Sequence, residues 1–298
     1  MALKYKIALI QLYPKPLAPA HNFAKAESQI RIAASAGARL AILPEYAFTS
    51  WQPSSPSWEC ACAEAAQLLP SLRQLAASLG IALVPGTLVE KLPDGSLANV
   101  CYFISSTGDL VGRYVKRNLW HPERGVVQPG REAHDVFDTE LGPVGILVCW
   151  DLAFPEAMRE LVAGGAKLIV VPTWWLLGDA GDGVALNPDS EKLFLESMIV
   201  CRAFENTCAV AFVNAGGPST PEDRASDTEA NAGEHREYAG LSQLGLPILG
   251  AKGKLGAEEG MSIVEVDMGV LDVAEKTYKV REDLGKEDWH YHVSSKLP

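Results

Sequence analysis

The sequence predicts a mixed α/β fold, and three observations predict it. Strand-like and helix-like runs alternate from residue 5 to residue 79; short β runs broken by glycine turns follow from Ile81; the alternation then resumes after Cys149. YKIALIQL (5–12) reads as a strand, FAKAESQIRIAASAG (23–37) as an alanine-rich helix stopped by Gly37, and RLAIL (39–43) as a second strand. A helix is predicted from Trp58 to Leu79, closing at Gly80. IALVPGTLVE, NVCYFIS after the turn Pro93-Asp94-Gly95, and DLVGRYV after Thr107-Gly108 read as hairpins, which makes the sheet mixed.

Beyond Cys149 the reading is a helix over 155–163, the strand KLIVV (167–171), a long helix near 189–206 and the strand CAVAFVN (208–214). With no internal linker, one domain over 1–298 is expected. One segment breaks the rhythm. Residues 216–240 are rich in Gly, Pro, Ser and acids with hardly an apolar residue, and read as an exposed mobile loop. A lid or a subunit-contact arm is the alternative that composition leaves open.

At 298 residues, with 48% hydrophobic and 21% charged, the chain is long enough for a large core and ordinary for a globular protein. A formal net charge of -11 argues against nucleic acid or an anionic membrane as partner. The opening MALKYKIALIQLYP is too short an apolar run to span a bilayer and lacks a secretory cleavage pattern, so a cytoplasmic protein is expected. The six cysteines show neither a disulfide framework nor a C-x-x-C zinc pattern. Cys101, Cys201 and Cys208 lie in apolar runs and read as core fillers.

Three residues share another position. Cys149 follows GILV, Glu45 follows AILP, and Lys116 ends DLVGRYVK, each where an apolar strand gives way to a loop. Ligand sites of open α/β sheets lie beyond the carboxyl ends of strands, so these residues can converge on one pocket. Cys149 stands just before a helix start marked by Pro155 and Glu156, a place expected to favour the thiolate. A buried glutamate can take the thiol proton and return it to a leaving amine, and a lysine can hold the oxyanion. Together they describe acyl transfer. Taken singly, each has an ordinary alternative as a solvated charge or a core thiol.

The chain resembles the nitrilase superfamily of carbon–nitrogen hydrolases. The resemblance lies in LPEYAF around Glu45, GRYVKRNLW around Lys116 and GILVCWDLAFPEAMREL around Cys149, in order and spacing, with support from KIALIQL, GVVQPG, RAFENTCAVAFVN and GMSIVEVDM. It implies an α-β-β-α sandwich with Glu45 as general base and acid, Lys116 as oxyanion-stabilising cation and Cys149 as nucleophile. It further implies that Glu123 positions the substrate or the lysine, and the Trp150 N–H is a plausible second oxyanion donor. The mechanism would run through a thioester and need no metal or organic cofactor. A homodimer or larger homo-oligomer is implied, with 189–206 a candidate interface. The family's substrates are small amides, carbamoyl amines, nitriles and ω-amides of dicarboxylic acids.

Within the family, the nitrile branch usually carries Glu after Cys-Trp; Asp151 here favours an amide or carbamoyl substrate. Leu152 and Ala153 stand where carboxylate-binding branches often place arginine, and Arg159 is expected outside the pocket. A substrate with no carboxylate beside the scissile group is therefore expected. Acyl transfer to an amine and a non-catalytic scaffold are the other readings. Trp120, Trp150, Trp174 and Trp175 can line an aromatic pocket or serve as core. His290 and His292, with no nearby third ligand, read as a tail feature and not a metal site.

Overall fold

The computed structural model describes residues 3–233 and 236–287, so His290 and His292 lie outside the described residues. Strand β1 (Lys4–Gln11) leads to helix α1 (Pro19–Ser35), β2 (Ala38–Ile42), helices α2 (Trp58–Ala66) and α3 (Leu69–Leu79), and β3 (Ala82–Val84). The hairpin stretch is β4 (Thr87–Lys91), β5 (Leu97–Ile104) and β6 (Leu110–Val115). The second half begins with β7 (Val136–Thr139), β8 (Gly142–Ile146), α4 (Pro155–Ala163), β9 (Leu168–Thr173), α5 (Ser190–Glu205) and β10 (Ala209–Asn214). It ends with α6 (Pro221–Ala230), β11 (Gln243–Leu246), β12 (Gly250–Lys252), β13 (Gly260–Asp267), α7 (Gly269–Tyr278) and α8 (Val280–Leu284).

These strands form two mixed sheets. The first has the order β13-β1-β2-β3-β5-β4 with β6 also paired to β5, and the second β12-β11-β10-β9-β8-β7. β1 and β2 run parallel, as do β8, β9 and β10, while β13 returns antiparallel along β1. Strand periodicity explains the layers. On β1, Ile7 and Leu9 join the core that contains Val144, Ile146 and Phe212 of the second sheet, while Ala8 and Ile10 pack with Ile30 of α1 and Leu72 of α3. Leu161 of α4 and Leu195 and Ile199 of α5 belong to the first of these cores, on the far side of the second sheet. The α-β-β-α layering of the nitrilase-like fold is therefore present.

The structure corrects several local readings. The helix expected over 58–79 is broken at Gln67 and Leu68, and Pro70 sits in the first turn of α3, where its missing N–H costs nothing. The 216–240 segment is not a featureless loop, because α6 occupies its middle. Thr220 caps that helix, its hydroxyl accepting the Asp223 N–H at 3.1 Å, with Pro221, Glu222 and Asp223 in the first turn. Beyond it Tyr238 is an anchor: it is buried, bridges to Leu176 and donates its hydroxyl to Asp227 Oδ1 at 2.8 Å. Cys101 and Cys208 are core residues, but Cys201 faces outward on α5.

Candidate active site

The first sheet supplies the charges. Past the end of β2 the apolar run stops at Pro44, and Glu45 turns into the interior between the two sheets, with a relative exposure of 1%. The turn is tight: Gly86 has φ +74, and a Cβ there would stand 1.8 Å from the Pro44 carbonyl oxygen. Lys116 follows β6 directly, and its N–H donates to the Asn99 carbonyl at 3.0 Å, keeping it in line with β5. Its Nζ lies 2.7 Å from Glu45 Oε1 and 2.7 Å from Glu123 Oε2. Glu123 sits in the short turn His121–Glu123, its Oε2 accepting the Trp120 N–H at 2.7 Å and its Oε1 the Tyr46 hydroxyl at 2.6 Å.

The second sheet supplies the thiol. Cys149 opens the 3-10 turn Cys149–Ala153 beyond β8, with φ +50, a conformation a non-glycine residue adopts at a cost of about 1–3 kcal/mol. Sγ donates to the Trp174 carbonyl at 3.4 Å and is within hydrogen-bond reach of the Glu45 carboxylate. Trp174, at the end of β9, also gives its N–H to Glu45 Oε2 at 3.0 Å. One peptide residue thus touches both base and thiol.

Burial sets the electrostatics. Glu45 is pushed up to about 7, foremost by burial, with Lys116 opposing and Glu123 adding to the rise. Burial works against the charge on Lys116, but Glu45, Cys149 and Glu123 outweigh it and raise its pKa well above the ordinary value. The Cys149 thiol is pushed well up, first by burial and then by Glu45, against the pull of Lys116. The thiolate expected from the helix start is therefore overturned. Pro155 begins α4 only after the intervening 3-10 turn, and the apolar, anionic surroundings of Sγ dominate. The thiol thus stands next to a carboxylate that can take its proton.

The structure brings Glu45, Lys116, Glu123 and Cys149 into one cluster. Trp150, next to Cys149 in the chain, has its ring centroid 4.5 Å from that of Trp120 and 5.6 Å from that of Trp175. Trp174 and Trp175 are themselves buried. Arg159 is turned to the end of α5, where NH1 donates to the Glu205 carbonyl at 3.4 Å. Asp151 braces its own turn, accepting the Val148 N–H at 2.9 Å.

Sequence reasoning missed Asn99, Tyr46 and Arg236. Asn99 donates to Glu45 Oε1 at 2.8 Å and to the Tyr46 hydroxyl at 3.0 Å; a lone amide inside the apolar run of β5 was its signal. Arg236 leaves no such trace. Its guanidinium lies over the Trp174 ring, 5.6 Å from the centroid, and NH2 donates to the Trp51 carbonyl at 3.0 Å.

A family model described as carbon-nitrogen hydrolase matches residues 6–275. The chain is 32% identical over 173 residues to a protein named nitrilase from Pyrococcus abyssi, covering 56% of this chain and 64% of that one. It is 24% identical to 2-oxoglutaramate amidase of Bacillus subtilis, over 96% of this chain and 99% of that one. Among solved structures it is similar to an amidase from Nesterenkonia sp. AN1, a mutant showing covalent addition of the acetamide moiety of fluoroacetamide at the active-site cysteine. That likeness has a TM-score of 0.71 and 26% identity, over 93% of this chain and 96% of the other.

Proposed function

The chain belongs to the carbon–nitrogen hydrolase family, and from that premise we propose that it hydrolyses a small amide through a thioester on Cys149. The observation that supports this most directly is the buried Glu45 carboxylate, paired with Lys116 Nζ at 2.7 Å and joined to Cys149 through Trp174, whose N–H and carbonyl meet the carboxylate and the thiol; burial pushes its pKa up to about 7. As Sγ attacks the carbonyl carbon, its proton passes to Glu45, and the developing oxyanion is held by Lys116 Nζ and the Trp150 N–H. Collapse of the tetrahedral species breaks the carbon–nitrogen bond, and Glu45 protonates the departing nitrogen. A water then gives a proton to Glu45 and its oxygen to the thioester carbon, releasing the acid and returning the proton to sulfur. Glu123, paired with Lys116 at 2.7 Å, keeps the ammonium aimed at that oxyanion.

Amides are favoured over nitriles by the likeness to two amidases. Leu152 and Ala153 offer no cation beside Cys149, which favours a substrate without a carboxylate next to the scissile group. We also propose that the protein is a homodimer through α5. Leu193 is 61% exposed there, beside a surface cavity of about 440 Å³ lined by Leu193, Phe194, Met198 and Cys201.

The test is ammonia release from short amides, N-carbamoyl amines, ω-amidated acids and nitriles by the protein and by Cys149→Ala. Release from a short amide, lost in the variant, is the expected result. Release surviving in folded Cys149→Ala, or none from any amide, would sink the reading.

A further inference from the structure

A buried polar chain, used by no step above, ties the nucleophile turn to the strand that carries Lys116. Asp151, two residues past Cys149, accepts at Oδ1 from the Asn118 N–H at 2.9 Å and side-chain amide at 2.8 Å. At Oδ2 it accepts from the Val148 N–H at 2.9 Å and from the Tyr114 hydroxyl at 2.8 Å. Tyr114 lies on β6, two residues before Lys116. Behind it stands His134, its ring stacked on Tyr114 with centroids 5.4 Å apart and Nε2 3.1 Å from the phenol oxygen. On its other side, His134 Nδ1 lies 2.6 Å from Glu160 Oε2 of α4. Arg117 completes the group, with NH1 3.1 Å from the same Nδ1 and 3.3 Å from Glu160 Oε2.

The chain has a direction. An ionised Asp151 can only accept, so the single hydroxyl proton of Tyr114 is committed to it, and Nε2–H of His134 is then the donor to the phenol oxygen. On the other side of the ring, Nδ1 stands between Glu160 Oε2, an acceptor, and Arg117 NH1, a donor. The hydroxyl rotor is locked toward Asp151, and Asp151 in turn holds Val148, the residue just before the strained backbone of Cys149.

We propose that His134 and Tyr114 are positioning residues for Cys149, acting through Asp151 to hold the thiol in register with Lys116 across the two sheets. The proposal rests on the reading of Cys149 as nucleophile. A tertiary hydrogen bond joins β6 to the turn after β8, so the separation of oxyanion donor and nucleophile is set by Tyr114 and Asp151 as much as by either sheet. His134→Phe would keep the stack and lose the ring donor to the phenol; Tyr114→Phe would lose the donor to Asp151.

The experiment compares Tyr114→Phe, His134→Phe, the double variant and His134→Gln. It measures the rate at which iodoacetamide alkylates Cys149, read by mass at that peptide because Cys60 and Cys201 are exposed and react too. Turnover of the best amide and the unfolding midpoint are measured beside it. Each phenylalanine variant is expected to slow alkylation and kcat by roughly tenfold to a hundredfold, with KM within about threefold, as misplaced reacting groups do. The double variant should be no slower than Tyr114→Phe alone, because both act along one chain. His134→Gln, whose amide can still donate to the phenol, should recover most of the rate. Alkylation at the unaltered rate in folded Tyr114→Phe would overturn the proposal, as would losses that multiply in the double variant. If no amide is turned over at all, the function proposed above falls, while the alkylation rates still decide this one.

Discussion

The two sheets hold their parts of the site by different means. The first holds side-chain charges: Glu45, Lys116 and Glu123 are buried together and fix one another through ion pairs of 2.7 Å. The second holds the thiol by its backbone, with Cys149 at φ +50, Sγ against the Trp174 carbonyl and Val148 tied to Asp151. A charge cluster in a low-dielectric interior locates itself by pairing, since any unpaired member is costly there. A thiol makes weak hydrogen bonds and cannot, so its place has to be built into the chain. Damage to the first half should disturb protonation and stability together; damage to the second should disturb rate with smaller effects on stability.

Breaking each half in turn tests that contrast. The largest effect is expected for Cys149→Ala, which should lower kcat for amide hydrolysis by roughly 10⁴-fold or more while the unfolding midpoint stays close to that of the unaltered protein. Lys116→Met should cost roughly 10²–10³ in kcat. It also leaves Glu45 and Glu123 without their cation, and about 3–5 kcal/mol of stability should go with it, seen in denaturant unfolding. An equally stable Lys116→Met would show that the charges are not held by pairing.

Smaller changes sharpen the comparison. Glu123→Gln keeps the shape near Tyr46 and Trp120 but removes one anion from Lys116, so kcat should fall by about tenfold to a hundredfold with the fold intact. It should also move the pH profile. Glu45 takes the thiol proton only when ionised, so kcat/KM should rise with pH through about 7. Because the Glu123 charge raises the Glu45 pKa, its removal should carry the rise to lower pH. A shift to higher pH would contradict the arrangement of charges described here. The smallest effect on rate is expected for Leu193→Asp on α5, which should change the mass in solution and leave kcat within about threefold, the site residues being distant in sequence and untouched.

Much of the site was legible at the ends of apolar runs. Glu45, Lys116 and Cys149 each break a strand, and a polar residue there has no sheet partner to explain it. The broken helix at Gln67 and Leu68 was legible too, in Pro70, as was α6 in Thr220-Pro221-Glu222-Asp223, the cap and first turn of a helix. That helix was missed because its core-facing contacts come from few side chains, Asp227 among them, so no apolar period marks it. Asn99 carries no local mark of Glu45, 54 residues away, nor Tyr114 of His134 and Asp151, 20 and 37 residues away.

By itself, then, the sequence determined the alternation of strands and helices in both halves of the chain and which three residues stand at strand ends, because these follow from periodicity and from what an apolar run can bury. Tertiary structure alone decided what those residues became. It set the 2.7 Å pairing of Lys116 with two carboxylates, the apolar and anionic surroundings that hold the Cys149 thiol's pKa up where a helix start suggested a thiolate, and the stacking of Arg236 on Trp174. The physical reason is that burial and long-range hydrogen bonds control protonation and position in the interior, and both depend on which distant strands come to lie side by side.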